Sequence, residues 1–302
     1  MITCSIGIMA YNEEANIGRL LEALLLQETS ICLIQEIIVV ASGCTDNTVN
    51  IVNEFCQRDK RIILLLQESR KGKASAINLF LSHAAGEVVV FESADTIPER
   101  DVFEKLVAPF ADPLVGMTGC RIVPVNSEDT VLGFYIHLFW KIHHRIGMIE
   151  FKTGEVTGMR NIIPQIPEDI LTDETYLTSM ILQKSSPDGK GYKLVYVPDA
   201  IVKNRGPETF HDFLTYRVRQ VVAYHQLKKM LPQGYYIPKT MDKMLVFRCL
   251  LEEITLNPRK LCLTFTAVSL EVMTRILAWI DWHVWKKNPF VWERVASTKR
   301  IE

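Results

Sequence analysis

The sequence predicts an α/β fold: a mostly parallel central sheet flanked by helices, with a helical appendage towards the C-terminal end. Three observations carry this. Short apolar, β-branched runs alternate with segments of helical period through the N-terminal third of the chain. Each apolar run ends abruptly in a polar or glycine-bearing loop before the next helix begins. One run, Val88-Val89-Val90-Phe91, is apolar at every position, as in a strand buried on both faces. Repeated strand–loop–helix units are βαβ units, whose loops gather at the carboxyl edge of the sheet, where open α/β sheets bind ligands. The loops starting at Tyr11, Ser42, Arg70 and Ser93 are therefore expected to converge.

The first strand covers 4–10 and leaves through Tyr11-Asn12-Glu13-Glu14. Ile17, Leu20, Leu21, Leu24 and Leu25 then recur at helical spacing. A second strand over 36–40 leaves through Ala41-Ser42-Gly43-Cys44-Thr45-Asp46. There Thr45 or Asp46 can cap a helix whose inner face is Val49, Val52, Phe55 and Cys56. A third strand over 62–66 leads through Glu68-Ser69-Arg70-Lys71-Gly72-Lys73 into a helix over 74–84. After the fourth strand, Pro98 is placed to open a helix in its first turn, so Asp95 is either a helix cap or a ligand-binding carboxylate.

The second half is less regular. It reads as a helix carrying Val102, Phe103, Leu106, Val107 and Phe110, a strand over 116–125 and a helix over 130–146. A small-residue loop over 154–160 would let a substrate approach closely. A helix over 173–184, a short strand over 194–197 and a long helix over 209–231 complete it. Neither G-x-G-x-x-G after the first strand nor a Walker loop is present, so the dinucleotide and P-loop readings lack their fingerprints.

With 302 residues, 48% of them apolar and 23% charged, the chain can bury a sizeable core. A formal net charge of −1 gives a nucleic-acid partner no electrostatic hold. The seven cysteines are scattered without a C-x-x-C pair and read as free thiols of a reducing compartment. A strand already under way at Cys4 implies no signal peptide, so the expected location is cytoplasmic.

The stretch 261–285 is strongly apolar yet contains Glu271, Arg275 and Asp281 near one stripe. Trp279, Trp282, Trp285 and Trp292 cluster at its end beside Lys286 and Lys287. That is the profile of a helix lying in a membrane interface over 261–292, peripheral on the inner face. The alternatives are a helix packed on the domain or in a homodimer with its polar stripe outward, and a spanning helix, against which the central charges count.

Six stretches taken together resemble the nucleotide-sugar site of the family 2 glycosyltransferases, which have the GT-A fold. They are Ala10-Tyr11-Asn12-Glu13-Glu14, Ser42-Gly43-Cys44-Thr45-Asp46-Asn47-Thr48, Gly72-Lys73-Ala74-Ser75-Ala76-Ile77-Asn78, Ser93-Ala94-Asp95, Thr172-Asp173-Glu174 and Tyr216-Arg217-Val218-Arg219-Gln220. The resemblance implies a GT-A domain over 1–235, with a nucleotide-sugar-binding half over 1–125 and an acceptor and catalytic half over 126–235. Residues 236–302 would then be a helical C-terminal region.

It also implies roles. Ala10, Tyr11 and Glu13 match the motif that contacts base and ribose, although acids also suit a helix's first turn. Ser42 stands, with Ala41, where the family often has two aspartates, and Asp46 keeps its place, where a helix cap explains it as well. Lys73 matches a basic position near the nucleotide; a solvated charged turn is its plain reading. Asp95 matches the metal-binding carboxylate of the family's Asp-x-Asp motif, for Mg²⁺ or Mn²⁺ bridging to the diphosphate. Ser93 replaces the first acid of that motif, with Ala94 between; a serine there can contact the ribose or a metal-bound water. Arg217 and Arg219 match the arginines that contact the diphosphate. Tyr216 and Gln220 replace that segment's Gln and Trp, which argues against a processive polysaccharide synthase.

Glu174 matches the general base, with Asp173 as its understudy; a helix N-cap and first-turn acid would look the same. Gly158, Met159 and Arg160 match an acceptor-side loop, and His225 a histidine that follows the arginines in some relatives. The implied activity is inverting, metal-dependent transfer of a sugar from a nucleotide-diphosphate donor, UDP-linked by default, to a hydroxyl of a lipid-linked or cell-envelope glycan acceptor. The rival readings are a non-catalytic nucleotide-sugar or membrane-partner binder, and a sugar nucleotidyltransferase.

Overall fold

The computed structural model describes residues 1–233, 235, 242–287 and 295–298. One eight-stranded sheet organises them, in the order β3-β2-β1-β4-β7-β6-β8-β5. Its first half is β1 (Ile2–Ala10), β2 (Cys32–Ser42), β3 (Ile62–Gln67) and β4 (Val88–Ser93). These four are all parallel, with β1 between β2 and β4. Helices α1 (Ile17–Leu25), α2 (Thr48–Arg58) and α3 (Lys73–Leu81) make the crossovers.

Side-chain alternation explains why the strands read as solid apolar runs. Val88 and Val90 enter one core with Leu20, Leu24 and Phe55, while Val89 and Phe91 enter the opposite core with Ile77 and Phe80. The carboxyl ends of all four strands therefore point to one edge, as expected.

The structure departs from the sequence reading in three places. Pro98 does not open a helix: it ends β5 (Thr96–Pro98), which pairs antiparallel with β8 (Lys193–Asn204) at the sheet's edge. An edge strand tolerates a residue without an N–H. Helix α4 starts later, at Val102–Val107.

The segment expected as a loop over 154–160 is largely a strand, β7 (Val156–Arg160), wedged antiparallel between β4 and β6 (Val115–Pro124). Gly158 is the position that must stay small there: a Cβ on it would lie 2.5 Å from Thr118 Oγ1 of β6. Finally, Asn47 occupies the N-cap position of α2 but its side chain makes no capping hydrogen bond; Asp46 Oδ1 accepts from the Thr48 N–H instead.

Helices α5 (Val131–Ile149), α6 (Asp173–Gln183) and α7 (Phe210–Met230) complete the domain. Thr130 and Thr209 cap α5 and α7 by accepting from Gly133 and Asp212 backbone N–H groups. Beyond them come α8 (Lys243–Leu251) and α9 (Pro258–His283). The expected boundary at 236, Trp292 and the end of the 261–292 stretch lie outside the described residues.

Helix α9 packs on the domain against α5 and α7, but with its polar stripe inward, the reverse of the packed-helix alternative. Glu271 and Arg275 turn towards α7, and Thr264, Ala267, Thr274 and Ala278 are buried. Phe265, Ile276 and Trp279 face out, exposed by 75%, 55% and 53%. The inversion has a cause within the domain, because Arg217 on α7 is buried and needs a carboxylate. By length and composition α9 is also apolar enough to cross a membrane.

Candidate active site

A cavity of ≈ 610 Å³ opens at the carboxyl edge of the sheet. Each parallel strand delivers part of its wall: Ala10, Tyr11 and Glu13 after β1, Ser42 at the end of β2, Arg70 and Lys73 after β3, and Ser93, Ala94 and Asp95 at the end of β4. Glu174 from α6 and Arg217 and Arg219 from α7 close the far side.

The first two exit loops are stitched together. Asn12 sits at a left-handed φ of 53°, and its Oδ1 accepts from the Thr45 N–H at 2.8 Å. The Glu13 N–H donates to Thr48 Oγ1 at 2.8 Å, and the Glu14 N–H to Asp46 Oδ2 at 3.1 Å. Asp46 is thus a linchpin of the loops and lies outside the cavity wall, contrary to its expected binding role. The third loop closes on the second because Gly43, at φ +63°, has no Cβ; one there would meet the Arg70 nitrogen at 2.5 Å. The Arg70 guanidinium then covers the Tyr11 ring at 3.9 Å, making a flat cationic platform at the rim.

Lys73 does not stand alone as a basic nucleotide contact. Its Nζ bridges Asp173 Oδ2 at 2.9 Å and Glu174 Oε1 at 3.0 Å. Burial pulls the Lys73 pKa down, but the two carboxylates outweigh it and hold the ammonium above its ordinary range. Burial, then the adjacent Glu174 carboxylate, push Asp173 up to about 6 against the pull of Lys73. Asp173 is buried off the cavity wall, whereas Glu174 lines it, so the geometry separates the two acids into an anchor and a cavity-facing carboxylate.

Around Ser93 the structure adds a residue that the sequence did not single out. Ser93 Oγ donates to Glu155 Oε2 at 3.0 Å, and Asn204 Nδ2 donates to Glu155 Oε1 at 3.3 Å. Burial first, then the Asp95 and Glu174 charges, raise the Glu155 pKa to about 7. Glu92 also reaches this wall, and its Oε1 accepts from Thr96 Oγ1.

All of these donors are oxygens, which suits a hard divalent cation. Glu92 Oε2 and Asn204 Oδ1 are buried without a hydrogen-bond partner among the described residues, as expected where a cation and its waters would complete the shell. No group of three or more His, Cys, Asp or Glu among the described residues can hold a metal by itself. A cation here would need further ligands from diphosphate and water.

The remaining sequence candidates divide between the cavity wall and the scaffold around it. Arg217 lines the cavity, but its Nη2 is bound by both Glu271 oxygens at 2.9 and 3.0 Å, and its guanidinium lies 4.6 Å above the Phe139 ring. Arg219 also lines the cavity; burial lowers its pKa against the pull of Tyr216, Asp95 and Glu155. Gly158 and Met159 are built into β7, and Arg160 ties down the carbonyls of Phe110, Asp112 and Val115. None of the three reaches the cavity wall; Gly154, Glu155 and Thr157 do. His225 lies off the wall too, stacked on Trp282 of α9 at 6.4 Å.

The family model for glycosyl transferase family 2 matches residues 5–167, more than half of the chain. A probable glycosyltransferase, YdaM of Bacillus subtilis, is 28% identical over 232 residues, which is 71% of this chain and 53% of that protein. The chain spans about half the length of the curated relatives it matches. The mannosyltransferase PcManGT from Pyrobaculum calidifontis, solved with GDP-Man and Mn²⁺, has a TM-score of 0.58 at 22% identity, over 95% of this chain and 81% of that one. S. aureus TarS 1-349, solved with UDP-GlcNAc, has a TM-score of 0.52 at 15% identity, over 93% of this chain and 91% of that one. At these identities the two likenesses are of fold, and that fold is GT-A.

Proposed function

The chain belongs to glycosyl transferase family 2, and from that premise we propose that it is an inverting glycosyltransferase that moves a sugar from a nucleoside-diphosphate donor to an acceptor hydroxyl. The observation that carries the reading is the meeting of Asp95, Glu174 and Arg219 on one cavity at the carboxyl edge of the sheet. The Tyr11–Arg70 platform offers a face for the nucleobase. Glu174, steadied by Lys73, accepts the proton of the acceptor hydroxyl as its oxygen attacks the anomeric carbon. The bond to the diphosphate breaks in the same displacement, and Arg219 faces the charge that develops on the leaving group. Asp95 would hold Mg²⁺ or Mn²⁺, whose chemistry when bound is to neutralise diphosphate charge. The structural neighbours hold GDP-Man and UDP-GlcNAc, so GDP-linked and UDP-linked sugars are both donors to test.

UDP, GDP and their sugars, with and without Mn²⁺, are the direct test. A true ligand at a hundredfold excess over its Kd should raise the melting temperature by roughly 5–10 °C. Silence from every nucleotide in both conditions would remove the donor assignment.

The acceptor side of the cavity is apolar, walled by Phe139 and Trp140 of α5, Leu250 of α8 and Ala267 of α9. The outward apolar face of α9, with Lys286 and Lys287 just beyond it, suits a membrane interface and an acceptor presented there. The protein should float with vesicles containing anionic lipid, and a Phe265→Glu/Trp279→Glu variant should stay at the bottom of the gradient. Equal flotation of both proteins would remove the membrane reading.

A further inference from the structure

We propose that Glu155 supplies the second carboxylate of the cation and diphosphate site, in the place that the sequence leaves to Ser93. This rests on the nucleotide-sugar reading above and deepens it.

The placement follows from strand register. Glu92 of β4 pairs with Val156 of β7, so the next pair brings Ser93 against Glu155. The contact is made twice: Ser93 Oγ lies 3.0 Å from Glu155 Oε2 and 3.1 Å from the Glu155 carbonyl oxygen. Asn204 Nδ2 holds the other carboxylate oxygen at 3.3 Å. The acid missing from the expected Asp-x-Asp pattern is therefore restored from 62 residues away, and two donors fix its direction.

The group is more than a gathering of acids. Glu92 lines the same cavity, is only 2% exposed, and its Oε2 has no hydrogen-bond partner among the described residues. Asn204, whose Nδ2 binds Glu155, likewise has its Oδ1 buried without one. Buried carboxylates are costly as anions unless they take up protons or a cation joins them. Asp95 and Glu155 on one wall, with those unsatisfied oxygens behind them, fit a hard cation that shares its shell with the donor's phosphates.

The test is Mn²⁺ binding by the full chain, read by electron paramagnetic resonance in the presence of UDP or GDP, whichever binds the wild type. Glu155→Gln should weaken Mn²⁺ by about tenfold or more, because one ligand charge is lost. Its melting temperature in EDTA should match that of wild type, so that lost cation binding is not lost folding. Glu155→Asp, which keeps the charge and shortens the reach, should weaken Mn²⁺ less than Glu155→Gln and melt like wild type in EDTA. Adding Ser93→Asp to Glu155→Gln should restore most of the Mn²⁺ affinity. Mn²⁺ affinity within twofold of wild type in both Glu155 variants overturns the assignment. Nucleotide binding by the wild type with no uptake of Mn²⁺ also overturns it, while the donor reading stands. Binding of neither removes both.

Discussion

Glu174→Gln is expected to lower kcat for sugar transfer by about 10²–10⁴-fold while leaving donor affinity within about twofold. The amide keeps the size of the side chain and can still sit beside Lys73, but it cannot take a proton from the acceptor hydroxyl. Asp173→Asn is the informative contrast. Asp173 is 3% exposed, lies off the cavity wall and holds the same ammonium at 2.9 Å. Its loss should loosen the Lys73 anchor, costing about 1–3 kcal/mol of stability and only about tenfold in rate. Initial rates with the donor identified by thermal shift, set beside melting temperatures, separate the two. Full activity in Glu174→Gln would sink the base assignment. Nucleotide binding by the wild type without detectable transfer would favour a binder over an enzyme.

That contrast also shows what could be read from the chain alone. The sheet's first half was legible because β1, β2 and β4 are buried on both faces, so their apolar runs and abrupt polar exits are unmistakable. The four exit loops follow from parallel topology, and they do line one cavity. What stayed hidden depends on pairings between distant segments. Little local marks residues 154–160 as a strand, since Gly154 and Gly158 suit an approach by ligand as well as an approach by β6. Without the β4–β7 register, Glu155 has no reason to stand beside Ser93. Arg217 and Arg219 look equivalent in sequence, yet α9 claims the first through Glu271, while the second lines the cavity with Asp95 and Glu155. The inward polar stripe of α9 was invisible for the same reason: its partner is Arg217, 54 positions away.

Glu271→Ala should lower stability by about 2–3 kcal/mol at pH 7, a fall of roughly 5–10 °C in melting temperature. Glu271 takes Arg217 on both oxygens, Tyr135 Oη at 2.6 Å and Arg275 Nε at 2.9 Å, so its loss strands a buried guanidinium and a buried phenol together. Breaking a fully buried pair costs about 3–5 kcal/mol; the lower figure reflects a Glu271 side chain that is 24% exposed. Arg217→Met should cost less, because Arg275 and Tyr135 still satisfy Glu271, and the double variant should recover part of the single loss. The pH dependence has a definite sign. Burial raises the Glu271 pKa, but Arg217, Tyr135 and Arg275 outweigh it and hold it below the ordinary 4.5. Its contribution is complete above pH 4.5 and is lost as the pH falls through the depressed value, so wild type and Glu271→Ala should converge in acid. Arg217→Met also decides between two jobs for that arginine. Held by Glu271, it should be dispensable for nucleotide affinity, which ought to change less than about threefold. A loss of tenfold or more would show that Arg217 leaves Glu271 for the diphosphate, and that α9 releases it when the donor binds.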